Sequence, residues 1–436
     1  MKRLLAPLAK VLSARMIALL LVFLQTLVMT RVLGVEVFGL LSFAISISAL
    51  LNRVLSMGLD QVLMRELARD GPDQAGSGPV WQACWRLVGR VTAPLVLAIA
   101  AIGLLLSLAT PLFGPYRMTL AAAFATLPLL ICRKYAESLI LGAKQAVRSI
   151  LGSQIAYPAL MILGALLTWG LGMPATGGTV SAVYSAAILG SLLCAVIMLQ
   201  PTRERLRASK AAATAPRIAA RTVAMSGAHF AFIGIGIVLT QHVDVLMIGL
   251  IMGPEEAALV RIATRVAEMA GLMQTIVLLQ YKPLVAEAHG KGDLDLLQKH
   301  VTAMTLLFVV TGIPITLGLW IFAEETMSVF GPGFTEGAWA MRIYVLGVMS
   351  MLVCGPSTHI LSLCREERRA SRDVGVALGI QVALNLLLIP VFGIMGCAFA
   401  NLLALLSLSF LGRYNAARHI GIETSVLSFR KLSTER

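Results

Sequence analysis

The sequence predicts an all-α polytopic membrane protein: about twelve transmembrane helices in two six-helix lobes, related by pseudo-two-fold symmetry along the membrane normal, around a central cavity. Three observations carry that expectation. Of the 436 residues, 58% are hydrophobic and only 13% charged. With the 38 glycines included, the apolar share is about two thirds, against roughly 45–50% in a soluble globular chain. The apolar residues also fall in runs of about twenty, the length a helix needs to cross a hydrocarbon core of about 30 Å. Finally, Lys and Arg collect in every second connection between those runs, as orientation in a membrane requires.

Taken in order, the runs lie near 14–33, 38–58, 87–110, 117–140, 150–171, 178–200, 222–250, 256–281, 301–323, 338–363, 373–391 and 394–413. The first follows Lys2, Arg3, Lys10 and Arg15 and has no A-x-A cleavage site, so it is expected to stay as a signal anchor. Trp81 and Trp85 beside Arg86 are expected to anchor the third span at the interface. The long connections are 59–86, 201–221 and 282–300; the others are tight, rich in Gly and Pro, such as the Pro390–Gly393 corner.

The even connections carry the cations: Arg65, Arg69 and Arg86; Arg133, Lys134, Lys144 and Arg148; then Arg203 through Arg221; Lys282, Lys291 and Lys299; and Arg365 through Arg372. The odd connections hold only Arg31 and Arg117, and the seventh and ninth are acidic through Glu255, Glu256, Glu324, Glu325 and Glu336. Positive segments stay inside, so both termini are expected in the cytoplasm. The expected division is a lobe over 1–200, a basic cytoplasmic linker over 201–221, a second lobe over 222–416 and a cytoplasmic tail over 417–436. An offset of 219 residues superposes the second span on the eighth: Gly34 meets Gly253, Glu36 meets Glu255, Leu40 meets Leu259, Ala44 meets Ala263 and Gln61 meets Gln280. With six spans in each half, a symmetry axis along the membrane normal follows.

Polar residues inside the spans are the candidates for chemistry, because a charge in hydrocarbon is costly unless it faces an interior or a water-filled cavity. Ser42, Ser46, Ala49, Arg53 and Ser56 recur at helical spacing on one stripe of the second span. Arg261, Arg265, Glu268, Leu272 and Thr275 repeat that stripe 219 residues later. The seventh span adds Gln241 and Asp244, and the same offset carries Asp244 onto Gln25 of the first span. Substrate contact is expected from Arg53, Arg261, Arg265, Ser42, Ser46 and Gln25. Ion coupling or structural pairing is expected from Asp244, Glu268 and Gln241. Three alternatives stay open: Arg53 snorkelling to the interface, Arg265 with Glu268 as a purely structural couple, and an Asp244–Arg261 pair, placed at similar depth by the helical rise, that only holds its lobe together.

Other classes are excluded by what the residues lack or where they lie. The net charge of +14 sits between apolar runs and not on a face interleaved with aromatics, so no nucleic-acid partner is expected. The six cysteines have no metal or redox spacing. No G-x-x-x-x-G-K-[ST] loop and no H-E-x-x-H motif occurs, so no cofactor, metal or catalytic residue is expected, and the short outer connections count against a glycosyltransferase or polymerase.

Two segments resemble a known family. Leu33-Gly34-Val35-Glu36-Val37-Phe38-Gly39, with Gly58-Leu59-Asp60 and Arg65-Glu66, look like the start of polysaccharide-transporter flippases, and Asn385 through Gly396 is similar to that family's corner at the eleventh span. The family belongs to a superfamily that also holds multidrug exporters and the lipid II flippase. The resemblance implies alternating-access translocation of undecaprenyl-diphosphate-linked oligosaccharide across the bacterial inner membrane, for O-antigen, capsule or exopolysaccharide. It implies as partners the lipid-linked oligosaccharide, membrane lipid, and polysaccharide polymerase and chain-length proteins. It also places Arg53, Arg265 and Glu268 where the lipid II flippase has cavity charges. The chain departs from that flippase, which has two further C-terminal spans, and from drug exporters, which often use an acid in the first lobe. A cation-coupled multidrug exporter remains the alternative.

Overall fold

In hydrocarbon every backbone group must be satisfied within the protein, and helices do this segment by segment. The described residues form helices and no strand. The computed structural model describes residues 2–70, 79–109, 111–208, 220–364 and 366–428. In chain order the helices are α1 (Lys2–Leu55), α2 (Leu59–Asp70), α3 (Pro79–Leu87), α4 (Ala93–Ala109), α5 (Arg117–Gly142), α6 (Ala156–Gly170) and α7 (Gly177–Ala208). They continue as α8 (Ala220–Ile251), α9 (Pro254–Ala270), α10 (Leu272–Gly290), α11 (Leu294–Ile321), α12 (Ala338–Cys354), α13 (Ser357–Leu363) and α14 (Glu367–His419).

Nine helices among the described residues are long and apolar enough to cross a membrane. Two of them are double. α1 turns at Gly34 (φ 73°, ψ 178°), and α14 turns at Gly393 (φ 57°, ψ −133°), three residues after Pro390. Each therefore holds two of the expected spans, which brings the count to eleven. The twelfth is the expected eighth span, which the structure divides at Gly271 into α9 and α10; its charged residues keep it from reading as a plain apolar crossing. The expected tenth span is likewise broken. α12 stops at Cys354, Gly355 takes φ 73°, and Pro356 leads into α13. A left-handed glycine followed by a proline ends a helix for backbone reasons alone.

The 219-residue repeat is visible in backbone geometry. Gly34 and Gly253 both take positive φ with ψ near 180° (178° and −175°) at the entry to matching helices. Only glycine enters that region without strain.

Contacts divide the chain into two units, Met1–Val238 and Leu239–Arg436. The division falls inside α8 and not in the expected 201–221 linker, of which residues 209–219 lie outside those described. Small residues on α8 are the reason: Gly227 and Ala231 bring its backbone against the Met57–Gly58 turn. Unit 1 buries Leu59, Val62, Leu63 and Leu67 of α2 with Leu127, Ile131 and Tyr135 of α5. Trp81 joins that core at 8% exposure while Trp85 is exposed at 38%.

Unit 2 packs α11, α12 and α13 around Val301, Met304, Phe308, Leu352 and Ile360. The residues after α14 were expected as a polar tail, and 420–428 depart from that. The broken α12 leaves carbonyls open at its C-terminus, and this segment fills them. Val426 N donates to Val353 O at 3.1 Å and Thr424 Oγ1 to Cys354 O at 2.9 Å. Thr305 Oγ1 donates to Thr424 O at 2.7 Å, and Gln298 exchanges hydrogen bonds with the Glu423 backbone. The Arg413 fork holds the Glu423 carboxylate at 2.8 and 3.1 Å. Burial pushes that carboxyl up, but Arg413 and Ser425 outweigh it and hold it below the usual carboxylate range. Residues 429–436 lie outside those described.

Candidate functional site

Two polar clusters are built inside the apolar helices, one in each unit. In unit 1 the cluster forms where α1 ends. Met57 and Gly58 both take left-handed φ (50° and 67°), a costly conformation for methionine, and they separate α1 from α2. Arg53, on the last turn of α1, directs Nη1 at Asp60 Oδ2 (3.6 Å) and donates through Nη2 to Phe230 O of α8 (3.0 Å). Asp60 opens α2, is fully buried, and also accepts from Gln61 Nε2 at 2.9 Å. From α5, Lys134 Nζ donates to Ser56 Oγ at 3.1 Å and Tyr135 OH to Ser56 O at 3.2 Å. Arg53 Nε, Asp60 Oδ1 and Asn52 Oδ1 are buried without a hydrogen-bond partner. Arg53 thus faces a buried carboxylate, with a second cation, Lys134, bound to Ser56 nearby; in such a dehydrated setting an anion's oxygens would gain charge-assisted bonds.

The rest of the expected stripe is placed differently. Ser42 and Ser46 are buried, at 2% and 0% exposure, and Ser46 Oγ donates to the Ser42 carbonyl one turn back. Gln25 is half-buried.

In unit 2 the centre is Asp244, 4% exposed. Its Oδ1 accepts from Gln381 Nε2 (2.9 Å) and Asn385 Nδ2 (2.8 Å). Its Oδ2 accepts from Tyr344 OH (3.1 Å) and Asn401 Nδ2 (3.1 Å). The Cys397 thiol lies beside the Asp244 backbone carbonyl at 3.9 Å. Donors from α12 and from both halves of α14 therefore meet on one side chain of α8. The turn at Gly393 makes this possible by folding Asn401 back beside Asn385. Gly396 is required there, because a Cβ would run into the Leu388 carbonyl.

The expected Asp244–Arg261 pair is not formed: four neutral donors occupy the carboxylate. Arg261 is buried at 8% exposure. Arg265 and Glu268 do pair, at 3.1 Å, but both are exposed, at 40% and 43%. Gln241 is exposed. Among the described residues no group of His, Cys, Asp and Glu has the makings of a multi-ligand metal site. Asp60, Tyr344, Gln381 and Asn401 were not singled out for chemistry from the sequence, and Lys134 was read only as one of the cations of a connection. The available signal was Gln381 and Asn385, four apart on an otherwise apolar helix, which puts two amides on one face.

Comparison with known proteins places these clusters in context. By fold the chain is similar to a lipid II flippase, MurJ, in an inward closed conformation (TM-score 0.72, 12% identity, 97% of this chain and 91% of that one). It is also similar to an inward-facing multidrug resistance MATE family transporter of the MOP superfamily (TM-score 0.70, 14% identity, 92% and 94%). At these identities the likeness is one of fold, and it accords with the twelve-helix, multi-pass membrane architecture. Among curated proteins it is similar to two from Haloferax volcanii. The probable low-salt glycan biosynthesis flippase Agl15 is 25% identical over 37% of this chain and 34% of its own length, and the probable flippase AglR is 21% identical over 37% and 35%. The chain thus spans about a third of the length of the curated relatives it matches. A model for MatE matches residues 230–391. The model described as polysaccharide biosynthesis protein matches residues 8–285, well over half of the sequence, and the chain belongs to that family.

Proposed function

We propose that this protein is a flippase that moves undecaprenyl-diphosphate-linked oligosaccharide across the bacterial inner membrane by alternating access, in O-antigen, capsule or exopolysaccharide biosynthesis. The observation that carries the reading is the unit 1 cluster: Arg53 facing the buried Asp60 carboxylate, with Lys134 bound to Ser56 on the same turn, within an otherwise apolar bundle. Arginine presents a planar fork that fits phosphate oxygens, and a diphosphate headgroup is the anionic part of such a lipid. The glycan would lie in a water-filled cavity and the polyprenyl chain in lipid. Arg261, Arg265, Ser42, Ser46 and Gln25 are further proposed substrate contacts, the two serines reached only in another conformation. Both termini would face the cytoplasm. A polysaccharide polymerase and chain-length proteins would take the product.

Asp244 is the proposed coupling site. Its buried carboxylate is matched by dipoles and by no cation, so a monovalent cation or a proton would be stabilised there. The amides of Gln381, Asn385 and Asn401 each carry a carbonyl oxygen that a half-turn would bring to the ion. This same acid is what keeps a cation-coupled multidrug exporter as the second reading.

Reconstitution in sealed vesicles separates these readings. With a fluorescent lipid-linked oligosaccharide in the outer leaflet, the protein should make label inaccessible to external lectin, and the substrate should be recovered chemically unchanged. A new glycosidic bond made by the purified chain would identify an enzyme. Transport of cationic dyes with no movement of the lipid-linked sugar would identify an exporter.

A further inference from the structure

Arg53 is committed, in this structure, to contacts that a phosphate ligand could not share. Nη2 donates to the Phe230 carbonyl at 3.0 Å, and Nη1 faces Asp60 at 3.6 Å. Nε is buried without a hydrogen-bond partner, pressed onto Gly234, where any Cβ would occupy the space of the guanidinium. The two-donor edges of a guanidinium are Nε with Nη2 and Nη1 with Nη2, so both need Nη2. One edge is covered by Gly234 and the other looks at Asp60. A bidentate phosphate cannot engage Arg53 until the group lifts away from α8.

What Arg53 holds down is a close backbone contact. At Gly58 a Cβ would collide with the Gly227 carbonyl and the Ala231 amide, and at Gly227 one would collide with the Met57 carbonyl. Arg65 of α2 meets the same stretch, with its guanidinium 5.7 Å from the centre of the Phe230 ring. The left-handed Met57 (φ 50°) sits under this contact, and strain of that kind persists where surrounding structure enforces it. Residues 227–234 of α8 are thus fastened to the end of α1 and to α2 by Arg53, by Arg65 over the Phe230 ring and by a glycine-on-glycine approach.

We propose that Arg53 is a latch as well as a headgroup ligand: a diphosphate that captures its fork draws it off Phe230 and Asp60 and thereby frees residues 227–234 of α8. This rests on the headgroup reading given above and adds that binding and release of α8 are one event. The latch belongs to unit 1 alone. It predicts that the segment opens only when an anion competes, and that Asp60 acts as the resident stand-in for the ligand's oxygens.

The test is hydrogen exchange of the 227–234 amides in the full-length protein in nanodiscs, with and without inorganic pyrophosphate, alongside calorimetric binding of pyrophosphate. For the wild type, saturating pyrophosphate should speed exchange in that segment at least fivefold. Gly234→Ala, which evicts the guanidinium, should exchange at the fast rate without ligand. If that variant fails to fold, Asp60→Asn serves instead: it removes the stand-in and should strengthen pyrophosphate binding severalfold. Arg53-dependent binding with unchanged exchange would overturn the latch and leave the headgroup reading standing. Absence of any binding that depends on Arg53 would overturn both.

Discussion

The two polar clusters solve the same problem with different chemistry. In unit 1 a buried carboxylate, Asp60, is held by a cation, with a second cation close by. In unit 2 a buried carboxylate, Asp244, is held by three amides and a phenol. A charge matched by a charge is unforgiving when one partner is lost, because the other remains in a low-dielectric interior. A charge matched by dipoles spreads its dependence over several donors and leaves the net charge unneutralised. The first arrangement suits exchange of one anion for another; the second suits taking up a cation.

The largest effect should follow from breaking the charge pair. Arg53→Ala leaves Asp60 buried and uncompensated, with an expected loss of about 3–5 kcal/mol, and Arg53→Ala with Asp60→Ala should recover most of it. Unfolding of both variants in the same detergent measures this; a double variant as unstable as the single would show that the pair is not the source. Asp244→Asn should act on function instead. Its shape and two of its acceptor bonds survive, so its melting temperature should stay within a few degrees of the wild type while transport falls at least tenfold. Full transport by that variant would remove Asp244 from coupling. Tyr344→Phe deletes one donor of four and should cost about 1 kcal/mol, a step small enough to show that the dependence is shared. The smallest effect should come from Arg265→Ala. The pair with Glu268 is exposed, and such pairs contribute about 0–1 kcal/mol; a larger loss would mean that both groups are sheltered by lipid or by another conformation.

The helices and their order were legible in the sequence because apolar length is a strong signal where lipid is the solvent. One pair of the repeat was legible as well: Gly34 and Gly253 were paired by offset, and both take positive φ with ψ near 180°. Breaks within spans were harder. Gly271 and Gly355 sit in apolar stretches whose composition alone reads as continuous, and only their backbone angles or the following Pro356 show the interruption. The candidate site was half legible. Arg53 and Asp244 stood out as charges in hydrocarbon, but their partners did not. Asp60 was read as part of a connection, because nothing in its spacing shows that the Met57–Gly58 turn folds it back under Arg53. The donors to Asp244 lie 100 to 157 residues further along the chain, and helix periodicity carries no information across such distances.

The segment after α14 has a consequence for how the protein is made. Thr424 and Val426 close the end of α12, and Glu423 locks onto Gln298 and Arg413. These residues leave the ribosome after every described membrane-crossing helix of unit 2. Unit 1 can finish its packing while synthesis continues, whereas unit 2 must wait with α11, α12 and α13 only loosely assembled. A premature stop just beyond His419 would spare every membrane crossing and still deny unit 2 its final fastening, so quality-control proteases should clear such a product despite its complete set of spans.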